Sequence, residues 1–319
     1  MTRPGRRNIL SEIVDRKTRS GGDRDIWSSY FVQDLLRRLA AADEKHRADL
    51  KEFVIVRCVT TIEVFFRSCV ALLVDEQDEV ARRAGEFTSG LKFDVDLILA
   101  LKGQSLTIGD IVSHMVYINK IDDINKFMSV LLNYDFLDAL KSRSDRWEVE
   151  IERKPESPIL DEPARIYASV SQLFEARHIL IHELPRRDQS PVLHVEQWLD
   201  DVEKFLRAST WLVSETVHPG APLQQQSMNE EAGGRLATLL ERMEALHKTA
   251  SSLLDQEGLD LLQQAQDHWD KHLRADMRLW GDGARGGSLS PLLAAERGVE
   301  LAEQRNRDLE EFIERHAQV

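Results

Sequence analysis

The chain has few of the residues that would cross-link it, carry it through a membrane or hold a nucleotide. Only two cysteines occur in 319 residues, and Cys58 and Cys69 lie in one apolar stretch, which predicts small buried packing residues and no disulfide framework. No segment approaches the roughly 20 consecutive apolar residues that span a bilayer, and no apolar segment follows the charged start. We therefore expect no membrane contact and a cytoplasmic location. No glycine-rich loop ends in Lys-Ser or Lys-Thr, so nucleoside triphosphate chemistry is not predicted.

Positive charge is also scarce. The chain has 42 Lys and Arg against 55 Asp and Glu, which gives a formal net charge of −13. A phosphate backbone would be repelled by the chain as a whole, so any contact with RNA has to be local. Residues 1–24 are the exception, because arginine and lysine outnumber the acids there. This segment is predicted to be a flexible basic arm, either merely solvated or touching phosphates.

What the chain does contain is helical periodicity. Hydrophobic residues make up 42% and charged residues 30%, an ordinary globular balance, and the length favours two folded units. Apolar residues recur at spacings of three and four, and no alternating strand pattern is present, which predicts an all-α fold. We expect a helical bundle over 25–217, a linker over 218–233 and a second helical domain over 234–319. Within the bundle, 85–109 is predicted to hold an insertion and 142–163 a loop.

The segment with the clearest chemical potential is Arg177-His178-Ile179-Leu180-Ile181-His182, at the end of a predicted helix. A histidine can exchange a proton near neutral pH, and an arginine stays charged and matches phosphate oxygens with its fork of donors. His178 and His182 share a helix face and could together bind zinc, but the sequence offers no third ligand at metal spacing, so no metal is predicted.

This segment resembles the Arg, four to six residues, His motif of the HEPN superfamily. The resemblance implies an endoribonuclease that cleaves RNA through its own 2′-hydroxyl, with no metal or cofactor. His182 would be the general acid or base, Arg177 the phosphate contact and His178 a positioning residue. It further implies a homodimer that joins two motifs in one groove, a toxin or antiviral defence role, and a possible antitoxin or other protein partner.

Helix geometry leaves alternatives open at this motif. At 100° per residue, Arg177 and His182 are about 140° apart, so the arginine must reach round, the helix must deform, or a second chain must contribute. In a purely structural interpretation, Arg177 pairs with Glu175 or Glu183. His182 would then only be favoured by the dipole at the helix end.

A polar stripe on the second predicted helix also needs partners. It comprises Arg57, Thr60, Glu63 and Arg67, spaced by three and four residues in an otherwise apolar helix. Polar groups on this helix orient the catalytic residues in several HEPN families, which implies that Glu63 supports His182 or Arg177. An internal pair of Glu63 with Arg67 is equally consistent with the spacing.

The C-terminal segment carries a second resemblance, to the LprI-type lysozyme-inhibitor family. The residues that carry it are Ala265-Gln266, Trp269, Arg274-Ala275-Asp276, Gly286-Gly287-Ser288, Pro291, Leu301, Arg305 and Leu309. Members of that family are stapled by cysteines, whereas Met277 and Arg297 or a near neighbour stand at the matching places here. This departure implies an intracellular sensing, binding or oligomerisation module and not a secreted inhibitor.

Two other function classes remain open on the sequence. One is a HEPN bundle without catalysis, acting as a scaffold or binding protein, which the net charge of −13 favours. The other is an inhibitor protein whose C-terminal domain is the active part.

Overall fold

Helices dominate the computed structural model, which describes residues 9–19, 26, 29–88, 95–103, 106–183, 186 and 192–316. These residues form no β-strand, only an isolated bridge between Ser144 and Pro158, so the fold is all-α as predicted. They divide into two compact units, Met1–Pro219 and Gly220–Val319. None of the described helices is both long enough and apolar enough to cross a bilayer.

The first unit contains ten α-helices in its described part, together with short 3-10 and π turns at Ala84–Thr88 and Trp147–Ile151. The helices are α1 Ile9–Arg19, α2 Ser29–Ala41, α3 Glu44–Glu76, α4 Asp78–Arg83, α5 Val95–Lys102, α6 Ile108–Met115, α7 Ile121–Leu132, α8 Phe136–Leu140, α9 Pro163–His182 and α10 Val195–Val217. The second unit has α11 Gln225–Ser251, α12 Gln256–Asp282 and α13 Ser290–His316.

Four long helices, α2, α3, α9 and α10, form the bundle that positions the motif. Contacts between α9 and α10 pair Asp161 with Lys204 at 3.2 Å and Gln172 with Trp198 at 3.1 Å. The order of these pairs makes the two helices antiparallel. Lys51 contacts Glu196 at 2.9 Å, which places the start of α3 beside the start of α10. The last turn of α9 therefore lies at the same end of the bundle as the first turns of α3 and α10.

The centre of this bundle is aromatic. The ring of Phe66 on α3 lies 5.8 Å from Phe136 and 5.6 Å from Phe205, centroid to centroid, and all three side chains are fully buried. Edge-to-face packing of this kind adds to the stabilisation from burial alone. Helix α3 is apolar almost all round because α2, α9, α10 and the shorter helices pack against it.

One buried polar group ties α9 to α10. Asp201 is completely buried on α10, where it accepts hydrogen bonds from Arg165 and, at 2.6 Å, from Ser169 Oγ. A buried carboxylate is tolerated only when it is paired and hydrogen-bonded. This network holds the helix that carries the motif in a fixed register.

Three segments differ from the sequence-based expectation. The predicted basic arm contains the helix Ile9–Arg19, because Ile13 supplies an apolar anchor that is 2% exposed; the remainder of 1–24 lies outside the described residues. The predicted linker 218–233 is wrong from Gln225 onward, where α11 begins. The predicted insertion 85–109 includes α5 and the start of α6.

The second unit is built on α13, against which both α11 and α12 pack. Its buried cluster is small, with Leu236, Val299 and Ala302 at the centre. Gly298 lets the helices approach, since a Cβ there would lie 2.8 Å from Leu236 Cδ2. The glycine-rich turn between α12 and α13 is formed as predicted, with Gly286 at a φ of +79° that favours glycine.

Candidate functional site

The motif occupies the last two turns of α9. The helix begins with Pro163 at its first position, where the missing N–H costs nothing. It ends at His182, with Glu183 N donating to Ile179 O at 2.9 Å. Its buried side includes Ile166, Val170, Leu173 and Phe174. Packing of that side leaves the histidines on the opposite, solvent-facing side.

The two histidines lie next to each other. The ring centroids of His178 and His182 are 4.8 Å apart, with the planes tilted by 47°, and both side chains are exposed. Two imidazoles at this distance can reach one small group in solvent, such as a ribose hydroxyl and its neighbouring phosphate. The arrangement offers both a proton acceptor and a proton donor at one place.

Arg177 takes a different position from the histidines. It is half-buried, and α9 is a continuous α-helix from Pro163 to His182, so no deformation reduces the angle of about 140° between residues 177 and 182. Within the described part of the chain, Arg177 makes no hydrogen bond or ion pair. The pairs with Glu175 or Glu183 that the structural interpretation proposed are not formed.

Glu63 is half-buried on α3. Among the described residues, no hydrogen bond or ion pair connects its carboxylate with Arg177, His182 or Arg67. The structure thus brings His178 and His182 together, and it leaves Arg177 and Glu63 without a direct link to them in one chain.

The motif end of the bundle also contains charged groups that the sequence patterns did not single out. Lys51 Nζ lies 2.9 Å from Glu196 Oε1. Burial alone would raise the pKa of Glu196, but the hydrogen bond from Lys51 and the field of Arg47 bring it below its usual value. Arg186, just beyond α9, is exposed. Lys51 and Glu196 are 145 residues apart in sequence, so only a paired-helix topology could have revealed them.

The described residues offer no suitable group for metal binding or for a thiol nucleophile. In the described residues, no cluster of three or more His, Cys, Asp or Glu side chains has metal-binding geometry. Cys58 and Cys69 are both free and fully buried, and burial raises the pKa of each thiol. A thiol kept protonated and away from solvent is a poor nucleophile.

In the second unit, the positions where the resembled family has cysteines lie on facing helices. Arg297 on α13 contacts Asp276 Oδ2 at 2.7 Å, next to Met277 on α12, and its guanidinium carbon stands 5.5 Å from the ring centroid of Trp280. An ion pair and a cation–π contact therefore join the two helices here.

No family model, no curated protein and no solved structure matches the chain.

Proposed function

We propose that the first unit is a metal-independent endoribonuclease of the HEPN type, with His182 as general acid or base, Arg177 as the phosphate contact and His178 as a positioning residue. The observation that supports it is the pair of exposed, neighbouring imidazoles on the same helix end as an arginine that has no partner in the described structure. An arginine left without a carboxylate on an acidic chain retains its donors for a phosphate.

The reaction needs no group beyond these residues and RNA. An imidazole removes the proton of the ribose 2′-hydroxyl, and the oxygen attacks the adjacent phosphorus. The bond from phosphorus to the 5′-oxygen breaks as that oxygen takes a proton from a protonated imidazole. The products are a 2′,3′-cyclic phosphate and a 5′-hydroxyl. Arg177 would stabilise the charge that develops on the phosphate oxygens.

The angle between Arg177 and His182 favours a site shared by two chains. In a symmetric dimer, each groove would take Arg177 from one protomer and His182 from the other. The biological role that follows from the resemblance is a toxin or an antiviral defence protein, in which the second unit senses a trigger or binds a protein partner such as an antitoxin.

The test is RNA cleavage with chelator present throughout. We expect the wild-type chain to release cyclic-phosphate ends, and His182→Ala and Arg177→Ala to lose this activity. The matched controls are His272→Ala and Arg278→Ala, which remove exposed residues of the second unit. Cleavage that persists in both α9 variants would end the proposal.

Mixing the two inactive variants tests the shared site. If one groove uses residues from both chains, a random mixture of Arg177→Ala and His182→Ala chains regains about a quarter of the wild-type activity, because half of the dimers then carry one complete site. If the arginine and histidine act within one chain, the mixture stays inactive.

The second candidate is a scaffold that binds without cleavage, and the charge of −13 supports it. Under this alternative, RNA or a partner protein still binds the wild-type chain, while no cleavage product forms under any condition.

A further inference from the structure

Two arginines and a histidine from three helices meet on the first unit, away from the motif at the end of α9. Arg16 lies on α1, Arg67 on α3 and His114 on α6. Helix α6 packs directly on α3, since a Cβ at Gly109 would lie 2.3 Å from Ala71 O. Arg67 precedes Ala71 by about one turn of α3, and His114 follows Gly109 by slightly more than one turn of α6.

Two nitrogen atoms of this cluster have no hydrogen-bond partner in the part of the chain that the structure describes. Arg67 Nε and His114 Nδ1 are inaccessible to solvent and have no hydrogen-bond partner. In the described part of the chain, the guanidinium groups of Arg16 and Arg67 form no hydrogen bond or ion pair. A buried donor without an acceptor is costly. The unpaired Arg67 Nε, with the unpaired Nδ1 of His114 on the facing helix, indicates a place for an acceptor from outside the chain.

In the described part of the chain, the carboxylates around the cluster do not bond Arg16 or Arg67. Asp110 accepts from Lys17 Nζ at 2.9 Å, and Asp75 accepts from Gly109 N at 2.8 Å. Glu12 stands 3.6 Å from the other ring nitrogen of His114, Nε2. These acids therefore leave the donors of Arg16 and Arg67 uncovered.

The electrostatics of the cluster agree with this geometry. Burial and then repulsion from Arg67 lower the pKa of Arg16, against the attraction of Asp110. Burial and then repulsion from Arg16 lower the pKa of His114, although Glu12 acts in the opposite direction. The two guanidinium groups thus repel each other and disfavour a proton on His114, and an anion between them would relieve that repulsion.

We propose that Arg16, Arg67 and His114 form a binding site for a phosphate group, either inorganic phosphate or the phosphate of a small phosphomonoester. Guanidinium groups match the oxygens of phosphate with directed donors, and His114 Nδ1 adds a further donor when it carries a proton. The site is independent of the proposed ribonuclease motif. Arg67 is sixteen residues along α3 from Lys51, which marks the motif end, a separation of about 24 Å.

The first experiment measures the melting temperature in phosphate and in chloride at equal ionic strength. At about a hundredfold excess over the dissociation constant, we expect phosphate to raise the melting temperature by about 5 °C more than chloride does. Arg67→Gln should abolish this difference, whereas the matched control Arg57→Gln, an exposed arginine of the same helix, should keep it. A phosphate effect no larger than that of chloride, or one retained in Arg67→Gln, overturns the proposal.

A second variant and a second ligand complete the test. Arg16→Gln should weaken phosphate binding, measured by calorimetric titration, by about tenfold or more. Adenosine monophosphate binding more tightly than inorganic phosphate identifies a phosphomonoester site, and the reverse order identifies a site for free phosphate. Wild-type protein that binds neither ligand in the titration contradicts the proposal, whatever the variants do. Without ligand, Arg67→Gln should melt no lower than wild type, because it removes an uncompensated charge.

Discussion

The two units of the chain each carry a pair of exposed histidines four residues apart on a long helix, yet their surroundings differ. His178 and His182 on α9 follow an arginine that has no ion pair or hydrogen bond in the described structure. His268 and His272 on α12 follow Asp267, which accepts from Gln263 at 3.0 Å. Paired imidazoles are therefore not a distinctive signal by themselves. The uncommitted arginine is what makes the α9 pair a candidate for chemistry on phosphate.

The interiors of the units differ as well. The first unit buries large aromatic side chains around Phe66, whereas α12 buries only Leu273 and Gly281 along its 27 residues. The second unit relies on small residues and on ion pairs such as Arg297 with Asp276. A deep core can hold α9 in place, while a thin three-helix unit leaves more of its surface to solvent.

The largest expected effect compares the two histidine pairs directly. His182→Ala should lower the rate of RNA cleavage by about 10² to 10⁴-fold, the usual contribution of a general acid or base. His272→Ala should leave the rate unchanged. Initial rates with chelator present measure both. Equal losses in the two variants would mean that α9 has no special role.

Core truncation should separate the two interiors. Phe66→Ala removes a fully buried ring and should lower the free energy of unfolding of the first unit by about 3–5 kcal/mol. Leu236→Ala in the second unit should cost about 2 kcal/mol, because its side chain is 9% exposed and its cluster is small. Urea denaturation followed by hydrogen exchange reports peptides of each unit separately. A larger loss for Leu236→Ala would contradict the contrast between the cores.

Polar contacts should show the same order. Arg165→Leu leaves the buried carboxylate of Asp201 without its charged partner and should therefore destabilise the first unit more than the loss of an exposed ion pair would. Arg235→Leu removes an exposed pair with Glu296 in the second unit and should cost less than about 1 kcal/mol. Denaturant midpoints compare the two, and a similar cost in both units would show that burial of Asp201 does not set the difference.

The smallest effect concerns pH. Burial and repulsion from Arg16 and Arg67, which outweigh Glu12, keep the pKa of His114 below its ordinary value. The unfolded chain therefore takes up a proton below about pH 6.5 that the folded chain does not, so stability falls as the pH decreases through this window. We expect His114→Gln to lose less stability than wild type between about pH 7.5 and about pH 5. Identical pH dependence in both proteins would exclude His114 as the cause. Saturating phosphate should reduce the wild-type loss.

Much of the helical layout could be predicted from local spacing. The start of α9 after Pro163, its end before Pro185 and the turn at Gly286 follow from residues a few positions apart in sequence. The helix Ile9–Arg19 was missed because a single buried anchor, Ile13, is too weak a pattern among charged neighbours. The start of α11 is predicted too late in the sequence, because three successive glutamines are typical of linkers. Glutamine is also a good helix former, and the helix includes two of the three.

By itself, the sequence determined the helical class and the order Arg177, His178, His182 on one helix, because both depend on spacing within about two turns. Only tertiary structure decided three features: the exposure of the two rings, the lack of a partner for Arg177 among the described residues, and the meeting of Arg16, Arg67 and His114. These features depend on which helices pack side by side, and the contacts join residues 40 to 150 positions apart. No local sequence pattern predicts which hydrogen-bond donors lack an acceptor after those helices pack.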